Sequence, residues 1–399
     1  MWTIRLLSTS ACASWPAHDN VSAAGALFRG VRRTPPALRG LCIAHLAAIA
    51  LAAWLSTTPL LFADFFDSPT DYVPAISDVY VCNNGSGTVL ILHGITGALL
   101  KTIYLPQGAK PLGIAFLPNY NGAYVTDNIT SKIYFIWNRR LAKIISTSGL
   151  SGMIAEHPKG TFAYIVGTVG TLVLDTVPSS PTFNTIIATI SGVGGPTAFT
   201  PDGTRAYVTI DGSYGSVSQL KAIDTGSHSV SATIQLPLST APSGPAITPD
   251  GTRVYVPGWV AHNVSVIDAD PTSPTYNTVT QVISVAGEAR GIALSPSGNL
   301  GYITLDTGGV DVIVTTPSSS QYNQVIAHIL DAGPFGGIHN IAISLDGRFT
   351  YVNDGSSSSG GSSNLLYVVD SEPLSATFNK VVNTLTAGDA MGVAVAPHR

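Results

Sequence analysis

Short runs of alternating apolar and polar residues fill the chain from Val79 to its end. Val, Ile, Thr and Tyr dominate these runs, and Gly, Pro, Asn and Asp separate them. Alternation with a period of two is typical of β-strands that bury one face, and no window keeps a helical period over a comparable length. The pattern predicts an all-β protein built from short strands joined by tight turns.

One phrase of turn and strand residues returns along this pattern. Residues 200–209 read TPDGTRAYVT, and residues 248–257 read TPDGTRVYVP. Aligning looser copies on the tyrosine of this phrase gives seven repeats, spaced 44, 40, 43, 48, 47 and 49 residues apart. The aligned tyrosines are Tyr80, Tyr124, Tyr164, Tyr207, Tyr255, Tyr302 and Tyr351.

Each repeat contains an apolar strand before the turn, the tyrosine strand, and two further strand-like runs. Four short strands repeated seven times predict a seven-bladed β-propeller of four-stranded antiparallel blades, because radial packing buries both faces of every sheet. The last copy of the first strand, MGVAVAPHR at residues 391–399, has no tyrosine strand after it, and Tyr80 has none of these first strands before it. We therefore predict that the C-terminal strand joins the first three strands and closes the ring.

The N-terminal part of the chain differs from the repeats. Residues 41–63 (LCIAHLAAIALAAWLSTTPLLFA) form a long apolar run, with Arg29, Arg32, Arg33 and Arg39 before it. This arrangement predicts a signal peptide or a membrane anchor. We expect residues 1–40 to be a disordered or mis-started extension, 64–76 a linker and 77–399 the propeller. Either use of the apolar run exports the propeller, so we expect a secreted, periplasmic or cell-surface protein.

Charge and cysteine content narrow the classes of partner. The net charge is −4, and the 19 Lys and Arg residues are scattered, which excludes a nucleic-acid-binding surface. Cys82 is the one cysteine beyond the N-terminal part, and we expect it to be a small core residue. Without a Cys or His ligand cluster, we expect no metal and no cofactor. We expect a monomer that meets a membrane only through the N-terminal anchor.

The repeats resemble the YVTN-type β-propeller proteins. AYVTDN at residues 123–128 is close to the name-giving motif of that family, and TPDGTRAYVT and VSVIDAD (264–270) match its turn and its third strand. The resemblance runs from Val79 to the C-terminus, although Asn121-Gly122 and residues 158–160 depart from the PDG turn. It implies an exported or surface-displayed protein of a family that mostly lacks an assigned reaction. Related propellers include lactonases and cofactor-dependent dehydrogenases, which is an analogy of fold alone.

Polar residues that lack the repeat period mark the candidate site. We expect ligands at the face that carries the loops between second and third strands and the connections between blades. The loops bring Asn83, Asn84, Asp127, Asn128, Asp211, Trp259, His262, Asp306 and Asp354 to this face. The connections bring Lys110, Glu288, Arg290, His339 and Asp389.

Three consecutive blades place six of these residues in one sector, namely Trp259, His262, Glu288, Arg290, Asp306 and His339. We take His339, Arg290, Glu288 and His262 as catalytic candidates, and Trp259, Asp306, Asp127, Asp354 and Lys110 as ligand-binding candidates. The sector is suited to a cation, to a carboxylate-bearing small molecule or to a histidine general base. The alternative is structural, because Asp and Asn in such loops commonly cap their own turns and Arg and Glu commonly form surface ion pairs.

A second motif recurs between third and fourth strands. PSSPTFNT (178–185), PTSPTYNT (271–278), PSSSQYNQ (317–324) and PLSATFNK (373–380) place an aromatic residue and an asparagine at one fixed point of the repeat. We expect the aromatic to pack on the blade edge and the asparagine to close the turn, with a partner-binding rim as the alternative.

These features favour an exported, non-enzymatic scaffold that binds an unidentified macromolecule or a surface glycan. The alternative is a lactonase-like hydrolase or lyase with its site at the channel mouth. The two differ in one geometric requirement, since catalysis needs His339 and either Glu288 or Arg290 to converge on one cavity.

Overall fold

β-Branched and aromatic residues form 28 strands in the part of the chain that the structure describes. This structure is a computed structural model, and it describes residues 78–118, 122–149, 151–210, 218–237, 240–306, 308–329, 338–354 and 364–397. The side chains of residues 338 and 339 are outside this description. The strands pair into seven four-stranded antiparallel sheets, which are the blades of a β-propeller. The predicted fold is confirmed.

Every blade follows the same order of strands from the channel outward. Blade 1 contains β28 (Ala390–Val395), β1 (Asp78–Asn83), β2 (Thr88–His93) and β3 (Leu99–Tyr104). Blade 2 contains β4 (Pro111–Phe116), β5 (Gly122–Asp127), β6 (Lys132–Trp137) and β7 (Arg140–Ser146). Blade 3 contains β8 (Ser151–Glu156), β9 (Phe162–Gly167), β10 (Gly170–Asp175) and β11 (Ile186–Ser191). Blade 4 contains β12 (Thr197–Phe199), β13 (Arg205–Ile210), β14 (Gln219–Asp224) and β15 (Ser229–Gln235).

The remaining three blades complete the ring. Blade 5 contains β16 (Ala246–Ile247), β17 (Arg253–Gly258), β18 (Asn263–Asp268) and β19 (Val279–Ser284). Blade 6 contains β20 (Ala289–Leu294), β21 (Leu300–Leu305), β22 (Val310–Val314) and β23 (Val325–Ile329). Blade 7 contains β24 (Ile338–Ile343), β25 (Phe349–Asp354), β26 (Leu365–Asp370) and β27 (Lys380–Thr386). None of the described segments is a helix with the length and apolar character needed to cross a membrane.

The C-terminal strand closes the ring, as predicted. β28 pairs antiparallel with β1, so that Val395 lies opposite Val79 and Val393 lies opposite Val81. Blade 1 is therefore made from both ends of the propeller sequence, and the backbone hydrogen bonds between them join the first and last repeats.

Apolar side chains fill each interface between neighbouring blades. Seven clusters of buried residues correspond to the seven interfaces. Between blades 5 and 6, for example, Val264 and Val266 pack with Ile303 and Ile313. Cys82 is fully buried in the cluster between blades 1 and 2, and burial raises the pKa of its thiol. It is a core residue, as predicted.

The recurring turn joins the first and second strands of a blade. In blade 4, the Asp202 carboxylate accepts hydrogen bonds from the Thr200 hydroxyl at 2.6 Å and from the Thr204 backbone N–H at 3.0 Å. Gly203 follows with a φ of 76°, and a Cβ there would lie 2.4 Å from the His157 ring of blade 3. The glycine is needed both for the turn and for the close approach of the neighbouring blade.

The repeated tyrosine joins its blade to the next one. In four interfaces its hydroxyl donates a hydrogen bond to an asparagine side-chain oxygen in the loop between the third and fourth strands of the following blade. We call this pair the tyrosine clasp. The pairs are Tyr124–Asn184 at 2.6 Å, Tyr207–Asn277 at 2.9 Å, Tyr255–Asn323 at 2.8 Å and Tyr302–Asn379 at 3.1 Å.

Two interfaces show how this clasp varies. Tyr164 contacts the Nδ1 of His228 at 2.7 Å, where the other blades have asparagine. The Tyr351 hydroxyl is buried and has no hydrogen-bond partner among the described residues. In place of the clasp, the interface from blade 7 to blade 1 has apolar packing and hydrogen bonds such as that from the Asn383 amide to the Ile95 carbonyl.

The clasp asparagine is held by its own loop. The four asparagines all have a φ near 60°, and Asn184, for example, donates its backbone N–H to the Asp175 carbonyl at 2.9 Å. In the same loop, the Asp175 carboxylate accepts hydrogen bonds from the hydroxyls of Ser180 and Thr182. The nearby Phe183 is buried and packs edge-on against Phe135 of blade 2. The aromatic-asparagine motif is thus structural, as the preferred interpretation predicted.

Removing one clasp hydroxyl tests this account. Tyr124→Phe leaves the buried Asn184 oxygen without its donor, and we expect a loss of about 1–3 kcal/mol of unfolding free energy. Tyr351→Phe removes a hydroxyl that has no partner among the described residues, so we expect stability to be unchanged or raised. Urea unfolding monitored by circular dichroism measures both. Equal losses in the two variants would contradict the clasp.

Candidate functional site

The first strands of the blades line a central cavity of about 450 Å³. All seven blades contribute to its wall, and most of the lining side chains are apolar. They include Leu112, Met153, Ile154, Pro196, Pro245, Ile292, Ile341 and Met391. Among the described lining residues, Arg290 is the one with a charged side chain.

Four of the predicted residues come together, and Arg290 is one of them. Its guanidinium carbon lies 4.0 Å from the centroid of the Trp259 ring. Arg290 also donates hydrogen bonds to one carboxylate oxygen of Asp306, from Nε at 3.2 Å and from Nη2 at 2.9 Å. The Trp259 indole N–H donates to the Glu288 carboxylate at 2.8 Å. We call Trp259, Glu288, Arg290 and Asp306 the channel-mouth cluster.

A β-bulge directs Arg290 toward this cluster. β20 pairs with β21, and Ala289 lies opposite Leu305 while Gly291 lies opposite Thr304, so Arg290 has no partner across the ladder. A bulged residue re-aims its side chain relative to a regular strand. In blade 1, Met391 occupies the corresponding irregularity and also lines the cavity. The bulge is therefore shared by more than one blade, whereas blade 6 is the one that has an arginine at this position among the described lining residues.

The charges of the cluster determine which ligands it suits. The cluster contains two carboxylates and one guanidinium, so it has a formal charge of −1 when all three groups are ionised. One oxygen of Asp306, Oδ1, is buried and has no hydrogen-bond partner in the described part of the chain. An unsatisfied buried acceptor costs about 1–3 kcal/mol, and a ligand cannot reach this oxygen while it is buried. The arrangement suits hydroxyl or amine donors better than the carboxylate-bearing molecule considered from the sequence.

Among the described residues, one histidine of the predicted sector, His262, does not join this cluster. His262 is exposed, has a φ of 49° and makes none of the hydrogen bonds of the cluster. The side chain of His339 lies outside the described residues. Glu288 and Arg290 both join the cluster through their contacts with Trp259, and the His339 part of the convergence that catalysis requires lies outside the described residues.

Asp127 and Lys110 form a separate, turn-capping group. Asp127 accepts hydrogen bonds from the backbone N–H groups of Ile129, Thr130 and Lys110, at 2.9, 2.7 and 2.7 Å. Burial acts to raise the pKa of Asp127, but these hydrogen bonds bring the pKa below its usual value. The Lys110 ammonium donates to the Asn84 carbonyl at 3.1 Å. These contacts match the structural alternative.

The other predicted residues are distributed around the face. Asp354 is buried at the end of β25, opposite Ile338 of β24. Asp211 lies outside the described residues. Three more take part in local contacts that hold loops, namely Asn83 with the Ser86 backbone N–H, Asn128 with the Lys110 carbonyl, and Asp389 with the Asn84 backbone N–H. Among the described residues, no group of three or more His, Cys, Asp and Glu is arranged to hold a metal ion.

Sequence reasoning missed Glu156, a titratable residue between blades 2 and 3. Corresponding positions in the first strands of other blades hold apolar residues such as Phe199 and Leu294. A charged residue at this otherwise apolar position was the signal by which the sequence could have indicated Glu156. Glu156 accepts a hydrogen bond from the Thr176 hydroxyl at 2.7 Å, and its Oε2 is buried without a described partner. Burial raises the pKa of Glu156 well above its usual range, and the Thr176 hydrogen bond offsets part of that shift.

No known protein-family profile matches the chain, and no curated protein matches its sequence. Solved structures do match its fold. A protein of unknown function from Desulfotomaculum acetoxidans has a TM-score of 0.64 at 15% identity, with 81% of this chain and 100% of that chain covered. The periplasmic gluconolactonase of Pseudomonas aeruginosa has a TM-score of 0.64 at 15% identity, with coverages of 80% and 99%. Hydrazine synthase of Kuenenia stuttgartiensis has a TM-score of 0.58 at 18% identity, with coverages of 75% and 93%.

These similarities establish the class of protein, which is a seven-bladed β-propeller. At such identities they show the fold alone, and the named proteins differ widely in what their names describe. Function must therefore be argued from the residues of the cavity and its mouth.

The buried Glu156 gives a pH-dependent prediction. Its folded-state pKa is raised above the ordinary value of 4.5, so the folded state holds the proton more tightly than the unfolded state does. The stability from this group is complete below pH 4.5 and is lost as the pH rises through the raised folded pKa. We expect Glu156→Gln to remove this pH dependence. The unfolding free energy of the variant should therefore rise relative to that of the wild type between pH 4.5 and pH 8. Unfolding midpoints across that range measure it, and parallel profiles would contradict it.

Proposed function

We propose that this chain is an exported binding protein of the YVTN-repeat type whose channel-mouth cluster binds neutral or amino-bearing sugar units of a surface glycan. The observation that carries the proposal is the packing of Arg290 on Trp259 beside two carboxylates at the mouth of the cavity. Carboxylates accept hydrogen bonds from sugar hydroxyls, a guanidinium donates them, and an indole offers an apolar surface. A few convergent polar groups beside an apolar cavity are typical of a small-ligand site.

The charge of the cluster supports a neutral or amino sugar over an acidic one. Arg290 is already paired with Asp306, and Glu288 adds a second negative charge. A carboxylate ligand would approach a cluster with an excess of negative charge, whereas a hydroxyl or ammonium group meets no such repulsion.

Two observations support export. The arginines before residue 41 and the apolar run at 41–63 have the order of a signal peptide or anchor. The fold is also similar to that of a protein whose name describes it as periplasmic. A glycan of the cell surface is accessible to a protein in that location.

The proposal is tested by direct binding of glycans to the mature protein. We expect a neutral or amino-sugar glycan to be selected on a glycan array, and Trp259→Ala and Arg290→Ala each to weaken its binding at least about tenfold in calorimetry, because each removes a central contact. Arg348→Ala is the matched control, since Arg348 also lies over an aromatic ring, that of Phe349 at 5.6 Å, but outside the cavity. Binding that is unaffected by the cluster variants, or selection of acidic glycans only, would contradict the proposal.

The second candidate function is lactone hydrolysis. It is favoured by the fold shared with a gluconolactonase and by the presence of Glu288 beside the cavity mouth. Acid release from glucono-1,5-lactone in a pH-stat distinguishes the two functions. Turnover that is abolished by Glu288→Gln supports the hydrolase, and glycan binding without turnover supports the scaffold.

A further inference from the structure

Two nearly identical turns of this propeller differ in where they direct an arginine. In blade 4, Arg205 crosses to blade 5, where its Nη1 donates to the Ala269 carbonyl at 2.9 Å and to the Tyr276 hydroxyl at 2.6 Å. The guanidinium also lies 5.3 Å from the centroid of the Tyr276 ring. The groove between blades 4 and 5 is therefore occupied by a guanidinium of the protein itself.

Arg253 is the corresponding residue of blade 5, and it turns back to its own blade. Its Nη1 donates to the Asp268 carboxylate at 2.8 Å and to the Thr252 carbonyl at 2.7 Å. The Asp268 side chain is only 1% exposed, which strengthens its attraction for a nearby cation. Blade 6 has Val314 where blade 5 has Asp268, so that position offers no carboxylate to draw Arg253 across.

The groove between blades 5 and 6 is left open as a result. It has a volume of about 380 Å³, and its walls come from the first turn of each blade and from the end of β22. Hydrogen-bonding side chains dominate these walls, namely Thr248, Asp250, Thr252, Arg253, Ser297, Asn299, Thr315 and Thr316.

The acceptors that hold Arg205 have counterparts in the aligned loop of blade 6, of which Thr315 lines the second groove. The Asn277 N–H donates to the Asp268 carbonyl in blade 5, and the Asn323 N–H donates to the Val314 carbonyl in blade 6. This shared bond aligns the two loops, so that Thr315 takes the place of Ala269 and Tyr322 takes the place of Tyr276. The Thr315 carbonyl and the Tyr322 hydroxyl are thus the equivalents of the two acceptors of Arg205.

A carboxylate adds negative charge to the open groove. Burial acts to raise the pKa of Asp250, but hydrogen bonds from Thr248 and Thr252 bring the pKa below its usual value. The carboxylate is therefore ionised at neutral pH. The nearby Arg253, which is paired with Asp268, also lowers the pKa of Asp250. The turn bonds use the Oδ1 of Asp250, so its Oδ2 can accept from a cation outside.

We propose that the groove between blades 5 and 6 binds a guanidinium group that is supplied from outside the chain. The group is that of an arginine side chain in a partner polypeptide or of a small guanidino compound, because both present the same fork of donors. The site lies beyond the turn that ends β20, whereas Arg290 lies at the start of that strand, so it is distinct from the channel-mouth cluster.

Three probes test the chemistry of this site on the full chain by calorimetry and ligand-observed NMR. They are agmatine, an acetylated and amidated Gly-Arg-Gly peptide, and the same peptide with citrulline in place of arginine. We expect the arginine peptide to bind about tenfold more tightly than the citrulline peptide, because only arginine makes charged hydrogen bonds. Binding of agmatine as well supports a small guanidino ligand, and binding of the peptide alone supports a protein partner. Equal binding of the two peptides, or binding of no probe, would overturn the proposal.

Matched substitutions locate the site. We expect Tyr322→Phe and Asp250→Asn each to weaken binding of the arginine peptide severalfold, on the order of tenfold for Tyr322→Phe. Tyr276→Phe and Asp202→Asn make the same changes in the groove that Arg205 already occupies, so they should leave binding unchanged. Arg290→Ala should also leave it unchanged, which separates this proposal from the glycan site. A loss of binding in Tyr276→Phe that equals the loss in Tyr322→Phe would assign the peptide to a different surface.

Discussion

The ring depends on the interface between neighbouring blades, where apolar packing and the tyrosine clasp act together. One four-stranded sheet cannot bury both of its faces, so each blade is stable only against its neighbours. The clasp adds a specific contact to this general attraction, because the Tyr124 hydroxyl and the Asn184 oxygen, both of buried residues, satisfy each other. The asparagine has a positive φ, and hydrogen bonds within its own loop hold it in position for the tyrosine. The tyrosine and the asparagine therefore recur in the repeats because they form this interface.

The channel-mouth cluster is a local departure from a rigid, repeated frame. The bulge that points Arg290 inward is common to several blades, but only blade 6 places an arginine there among the described lining residues. Trp259 and Asp306 then come from loops that the same frame fixes at the channel mouth. A site of this kind needs no backbone conformation beyond that of the repeat. The fold positions the residues, and a few side chains that differ from blade to blade provide the chemistry.

The sequence identified the fold and part of the candidate site. Periodicity gave the seven repeats, because strand alternation and turn residues are local properties. The grouping of Trp259, Glu288, Arg290 and Asp306 followed from counting loops on one face of the expected propeller, which is sound as long as blades are equivalent. His262 is in the expected loop but is exposed and does not join the cluster, because the loop that a residue occupies fixes neither the direction nor the exposure of its side chain. For the same reason the sequence did not show whether Asp127, a ligand-binding candidate, would cap its own turn, as it does in the structure.

The two phrases TPDGTRAYV and TPDGTRVYV mark the limit of what the sequence determined. By itself the sequence determined the turn, the strand that follows and the count of blades, since these depend on φ preferences and apolar alternation within a few residues. Only the tertiary structure decided that Arg205 reaches the next blade while Arg253 returns to Asp268. The reason is that an arginine selects among acceptors brought close by folding, and these lie 64 and 71 residues along the chain from Arg205 but 15 residues from Arg253. Nearly identical local sequence thus leads to one filled groove and one open groove.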